Sequence, residues 1–390
     1  MRGIYRLNGI VRHYDWGGTD FIPSLLHTGN EEKKPFAEYW MGTHPQGMST
    51  IRGTDGRVQN LDSLAGPLPY LLKVLDVKDM LSIQVHPSKE AAEREFAREN
   101  AEGIPLDAPH RNYRDDNHKP ELMVALGDFW LLHGFKPPEE LADTLLNVVE
   151  LRELLQVYNQ SGYAGLYRHV MEMPQEEVNR VLEPLLVHIG KIYKDKEPGK
   201  YTEDYWAARA ARTFRTGNDI DRGIFSIYLF NLVHLKKGEG IFQPAGVPHA
   251  YLEGQNVEIM ASSDNVLRGG LTTKHIDVKE LMKHVKCEPT WPDILSPEPV
   301  HKEKIYITPV QDFKLSQLLL AAGEYLTLRP AVIEILLVTE GRVTLSSGDD
   351  QLVLEPGQPA AVIAAGAETA VRAEENSMVF RASGPVLPVE

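Results

Sequence analysis

The chain has one cysteine, Cys287, among 390 residues, so it can close no disulfide within itself and build no thiolate metal cluster. An oxidising compartment gains no support from this, and the cytoplasm is the expected location. Long apolar runs are also missing. Nothing reaches the roughly 18 consecutive apolar residues of a membrane span, and positions 1–18 mix Arg6, Arg12 and Asp15 among apolar residues, unlike a signal peptide. Basic residues are in deficit: 41 Lys and Arg against 55 Asp and Glu give a formal charge of −14. That balance repels nucleic-acid phosphates and anionic lipid, so neither nucleic acid nor a membrane is an expected partner. An anionic ligand must instead meet a local basic patch.

What the chain does have is 42% apolar residues over a length sufficient for more than one core. Residues 68–85 have the β-branched, alternating character of two strands around a Lys78-Asp79 turn, and 121–132 read as a further strand after the helix-like stretch 90–102. Between 138 and 192 the period becomes helical, with Leu141, Leu145, Val148 and Leu155, then Val178, Val181, Leu182, Leu185 and Ile189, on common faces. Pro174 followed by Gln175, Glu176 and Glu177 marks a helix start, and Pro184 marks a kink or a second start. After the polar segment 194–221, β character returns in F-S-I-Y-L-F-N-L-V-H-L. From about 305 onward, short strands are divided by Gly341, Gly348 and Gly357. The expected division is a β-domain over 1–137 and 221–300, a helical insertion over 138–220, and a C-terminal β-domain over 301–390.

Three stretches carry chemistry. Gly238, Pro244, Gly246 and His249 shape a tight inter-strand turn that aims an imidazole inward, although such a turn also serves structure alone. In L-S-I-Q-V-H-P, Ser82, Gln84 and His86 recur at period two, opposite apolar Ile83 and Val85, so their face meets solvent or a polar cavity. In N-H-K-P-E-L-M-V-A-L, Glu121 opens an apolar strand behind His118 and Lys119. Gln84, His86, Glu121 and His249 together offer donors that suit zinc, and the same two-histidine, one-carboxylate logic accepts Fe(II). Trp16 and Trp40 are expected in the core rather than on a sugar face.

The spacing from Gly238 to His249 is that of the second cupin motif, with Glu253 where the motif usually has Asn. Longer strings decide the family. Y-D-W-G-G (14–18), A-E-Y-W-M-G-T-H-P (37–45), S-I-Q-V-H-P, H-K-P-E, and H-A-Y-L-E-G running on to E-I-M-A-S-S-D-N-V-L-R-G-G-L-T-T-K resemble type I phosphomannose isomerases. The resemblance covers about the first 135 residues and 221–285. It implies a mainly β protein with a helical insertion, in which a cupin (jelly-roll) β-barrel catalytic domain is followed by a C-terminal cupin-like β-domain. The C-terminal domain departs from a metal cupin, because 357–366 contains no histidine.

In that family's terms the activity is interconversion of mannose 6-phosphate and fructose 6-phosphate. The implied ligands of one Zn2+ per chain are Gln84, His86, Glu121 and His249. The implied active-site set adds Ser82, Lys73, Lys119, Glu258, Asp264, Arg268 and Lys274. Glu121 is then committed to the metal, and Lys119 is the candidate base. His118 and Asp264 are candidates for proton transfer in ring opening, against the alternatives of a surface histidine and a helix cap. Arg268 and Lys274 flank G-G-L-T-T and suit a phosphate dianion on a hexose substrate. The competing readings are an Fe(II) cupin oxygenase and a non-catalytic sugar-binding cupin. No oligomeric state is set by the sequence, and a monomer is compatible with it.

Overall fold

The computed structural model describes residues 3–192 and 199–385. Positions 1–2, 193–198 and 386–390, which the expected division includes, lie outside the described residues. Strands pair into sheets of eleven, eight and four, and helices concentrate between Pro138 and Leu229.

The organising element is the long strand His249–Ala261 at the centre of the eleven-stranded sheet. It pairs antiparallel with Tyr70–Val77 on one side and Glu121–Ala125 on the other. Its first residue also pairs with Gln84 of the short strand Gln84–Val85. All eight residues of Tyr70–Val77 and all five of Glu121–Ala125 are buried, which explains why these strands are nearly continuous in apolar character. Polar side chains on them, Lys73 and Glu121, are therefore enclosed.

The run expected as one strand over 121–132 is two, Glu121–Ala125 and Phe129–Phe135, separated by Leu126, Gly127 and Asp128. F-S-I-Y-L, expected as β, lies in the helix Gly223–Leu229, and the strand begins only at Phe230. Every residue of that helix is buried, so its sequence carries no polar stripe from which a helical period can be read. Elsewhere the helical period holds. Leu141, Leu145, Val178, Val181, Leu182, Leu185 and Ile189 are all buried in one cluster with Phe135, Trp206 and Phe230. Each such side chain contributes about 1.5–3 kcal/mol on leaving water. Pro184 sits inside the helix Gln175–Ile192, and the helix runs through it. The helix Arg152–Glu172 changes direction at Gly162, whose φ of 62° is left-handed.

The C-terminal strands form the four-stranded sheet and most of the eight-stranded one. The eight-stranded sheet also takes in three N-terminal strands, Ile4–Asn8, Thr50–Arg52 and Val58–Asn60, through the pairing of Ile4–Asn8 with Ala360–Ile363. The apolar cluster beneath it joins Leu7, Ile51 and Tyr70 to Leu315, Leu337 and Phe380. Strand pairing thus continues across position 301.

Candidate metal centre and active-site cavity

The central strand brings the polar side chains together by register. His249 lies opposite Gln84, Glu258 opposite Lys73, and Met260 opposite Glu121. His86 follows Gln84 by two residues, as the alternating pattern requires. His86, Glu121 and His249 are buried, and their ligating atoms lie within 4.8 Å of one another, the one such group among the described residues.

The histidines are prepared alike. His86 Nδ1 lies 2.9 Å from the Asn265 carbonyl, and His249 Nδ1 lies 3.1 Å from the Val247 carbonyl. A carbonyl can only accept, so each Nδ1 carries the proton and each Nε2 presents a lone pair. Those Nε2 atoms face the Glu121 carboxylate at 3.5 and 3.3 Å. His86 Nε2 is buried without a hydrogen-bond partner, a costly arrangement for a polar atom and a natural one for a metal ligand. Burial pushes the His86 imidazole down to about 4, which keeps it neutral. Burial would raise the Glu121 carboxyl, but the opposing charges, Lys119 foremost, hold it well below the usual range. Two imidazole Nε2 atoms around an ionised carboxylate fit zinc by donor type.

Next to these residues lies a cavity of about 800 Å³. His86, Glu121 and His249 are not among its lining side chains, whereas Gln84 and Lys119 are, together with Ser82, Lys73, Asp264, Arg268 and Lys274. Lys119 Nζ lies 3.1 Å from Glu121 Oε1. Lys73 Nζ lies 3.1 Å from Glu258 and 3.9 Å from Glu38. Burial disfavours the Lys73 ammonium, but these carboxylates and Glu121 outweigh that and raise its basicity. Glu258 is not on the cavity wall. It sits behind Lys73, accepts a 2.8 Å hydrogen bond from Tyr251, and is pushed up by burial despite the lysines nearby.

The structure separates the two ring-opening candidates. Asp264 lines the cavity, with His44 Nε2 at 3.5 Å and Gln46 Nε2 at 3.0 Å. Burial alone would raise its carboxyl, but His44, Lys119 and Lys73 hold it below the usual value. His118 is absent from the wall and turns its Nε2 to Asp312 at 3.0 Å.

Other cavity residues were not singled out from the sequence. Trp16 and Trp40, expected in the core, line the cavity, and Trp40 is nonetheless only 5% exposed. His44, Glu38 and Arg114 line it too. Arg114 lies close enough to Arg268 and Lys274 to disfavour the charge of both, after burial as the larger cause. No carboxylate among the described residues pairs with these three cations. Asn265 is fully buried and connects the parts: its carbonyl receives the His86 ring, its Oδ1 accepts from Arg114 N at 2.7 Å, and its Nδ2 donates to the Asp115 and Asn117 carbonyls. Trp16, Glu38, Trp40, His44 and Asn265 lie within the strings that carry the family resemblance, whereas Arg114 lies in none of them.

A mainly β fold that buries two imidazoles and a carboxylate beside a cation-lined cavity defines a metal-dependent cupin enzyme acting on an anionic ligand. Residues 4–138 match the family model for the catalytic domain of type I phosphomannose isomerase. Mannose-6-phosphate isomerase of Salmonella typhimurium is 37% identical over 377 residues, covering 91% of this chain and 93% of that protein. The Homo sapiens enzyme of the same name is 33% identical, covering 97% and 98%. A crystal structure of the Salmonella typhimurium enzyme bound to fructose 6-phosphate and zinc superposes with a TM-score of 0.87 at 32% identity, covering 98% of this chain and all of that one. The chain belongs to the type I phosphomannose isomerase family.

Proposed function

We propose that this chain is a mannose-6-phosphate isomerase, interconverting mannose 6-phosphate and fructose 6-phosphate by proton transfer through an enediol. The observation that carries the reading is the pair of buried imidazole Nε2 atoms facing one carboxylate, with the Lys119 ammonium 3.1 Å from that carboxylate at the cavity wall. Gln84, His86, Glu121 and His249 would hold the zinc. Bound there, zinc supplies a Lewis acid that polarises the substrate carbonyl and stabilises negative charge on oxygen. Relatives described as zinc-bound favour zinc over Fe(II).

The remaining work falls to side chains of this chain. Asp264 stays ionised and His44 offers it an Nε2–H, because His44 Nδ1 already accepts from Gln46 N at 3.2 Å. This pair moves the proton between the anomeric hydroxyl and the ring oxygen during opening. Lys119 Nζ acts as base in its neutral amine form: it takes the proton from the carbon next to the carbonyl, becoming an ammonium, and delivers one of its N–H protons, exchangeable with solvent, to the neighbouring carbon. Lys73, fixed by Glu258 and Glu38, and Ser82 orient the sugar hydroxyls from the wall. Arg268 and Lys274 bind the phosphate, with no carboxylate among the described residues competing for them.

Catalytic chemistry is assigned to 1–137 and 221–300. The helical insertion over 138–220 contributes Thr213 and Phe214 to the cavity wall, and the described residues of 301–390 contribute none of the wall residues. No helix among the described residues is long and apolar enough to cross a membrane. The test is conversion of mannose 6-phosphate before chelation, after it, and with zinc or Fe(II) restored. Loss on chelation and recovery with zinc supports the reading; a zinc-loaded protein without isomerisation contradicts it.

A further inference from the structure

The loop that carries Arg268 and Lys274 is held by a carboxylate outside the substrate-binding set. Asp221 Oδ1 accepts from the backbone N–H of Gly223 at 2.7 Å and of Leu271 at 2.8 Å, and its Oδ2 accepts from Thr272 N at 3.1 Å. Two of these donors are some fifty residues away in sequence, so the contact joins separate parts of the fold. Leu271 has a φ of 52°, a left-handed conformation that an L side chain rarely adopts. Its N–H and the next one therefore turn together toward one acceptor. Gly223 and Gly270 pack back to back at the same point: a Cβ on Gly270 would lie 2.5 Å from Gly223 Cα. On its other edge the loop is tied by Gly269 N to the Ile83 carbonyl at 2.9 Å and by Ile83 N to the Gly270 carbonyl at 3.0 Å, between Ser82 and Gln84.

We propose that Asp221 is a positioning residue for phosphate recognition. It fixes the backbone of 271–272, so that Arg268 before the turn and Lys274 after it converge on one phosphate. Three N–H groups share its negative charge, so it orders the loop without repelling a dianion from a site otherwise made of Arg114, Arg268 and Lys274. This inference rests on the reading of Arg268 and Lys274 as phosphate ligands. It adds that their affinity depends on a side chain at the junction with the helical insertion.

The experiment compares wild type, Asp221→Asn and Asp221→Ala as full chains loaded with zinc. It measures kcat, KM for mannose 6-phosphate, the inhibition constant of inorganic phosphate, and bound zinc. Asp221→Asn keeps the shape and the two bonds at Oδ1 but turns an amide NH2 toward Thr272 N–H, so it reads the effect even if the alanine variant does not fold. The expected result is a rise in KM and in the phosphate inhibition constant by about threefold for Asn and about tenfold or more for Ala, a tenfold loss corresponding to about 1.4 kcal/mol. Zinc content stays at the wild-type value, and kcat changes less than KM. Asp221→Asn with an unchanged phosphate inhibition constant, or with kcat and zinc content falling while phosphate affinity holds, would overturn the inference. Arg268→Ala and Lys274→Ala separate the premises: if they leave phosphate inhibition unchanged, the phosphate-site reading fails. If they weaken it and Asp221→Asn does not, only the role of Asp221 fails.

Discussion

Lys119 and Glu121 share a carboxylate–ammonium contact of 3.1 Å on one oxygen of Glu121, while His249 faces the other oxygen at 3.3 Å. The carboxylate therefore stands between the metal ligands and the proposed base, and the two functions can be separated by substitution.

Lys119→Ala is expected to lower kcat by roughly a hundred- to ten-thousand-fold, the usual contribution of a positioned base. Bound zinc should remain at the wild-type amount, since the donor set is untouched. Steady-state kinetics together with metal analysis checks this, and near-normal turnover would remove Lys119 from the base role.

Arg114→Ala should raise KM for mannose 6-phosphate about tenfold, with kcat within about threefold, because one of three cations around the phosphate is lost while the reacting carbons are untouched. The penalty should shrink as ionic strength rises, since Arg114 is exposed. A KM series in increasing salt measures both effects.

Glu253, in the place of the usual cupin-motif Asn, ion-pairs with both Lys200 and Arg209, and Arg209 also reaches the Lys78 carbonyl and Asp79. These contacts clamp the helix Glu203–Thr213, whose last residue lines the cavity, to the central strand. Glu253→Ala leaves two cations without that partner at a half-buried site, a loss of about 2 kcal/mol, between exposed and buried pairs. Amide exchange in Glu203–Thr213 should accelerate roughly thirtyfold, with little change in the strand Glu121–Ala125.

Glu280 has a pH signature of its own. Burial would raise its carboxyl, but His284, Lys283 and Tyr113 hold it down to about 2 from an ordinary 4.5. A depressed carboxyl stabilises the fold fully above its unfolded value, and the contribution is lost as pH falls from 4.5 toward about 2. Glu280→Gln should therefore reduce the slope of the stability curve in that window and lower stability above it. Denaturant unfolding at a series of pH values reads the slope.

The grouping of His86, Glu121 and His249 was legible through the family resemblance, with local patterns that allowed it without deciding it: a Gly/Pro turn before His249, a period-two strand for His86, and a charged residue opening an apolar strand for Glu121. The helical insertion was legible from the spacing of Val178 through Ile189. The helix Gly223–Leu229 was not, because uniform burial erases the period that separates helix from strand. His44, Arg114 and Asn265 were illegible for another reason. Their significance lies in partners far along the chain, Asp264 for His44 and the His86 ring for Asn265, and no local pattern encodes such a meeting. Trp40 was read as core and is both buried and on the cavity wall, two properties that its apolar ring satisfies at once. His118 shows the converse: adjacent in sequence to Lys119, it points to Asp312.

The most direct test of the central claim, proton transfer at Lys119 beside a zinc site, is conversion of mannose 6-phosphate in deuterium oxide by the zinc-loaded protein, with the product read by nuclear magnetic resonance. The account predicts deuterium at C1 of fructose 6-phosphate, and loss of both turnover and labelling in Lys119→Ala. Complete conversion with no deuterium at C1, the mark of a direct hydride shift, would contradict it.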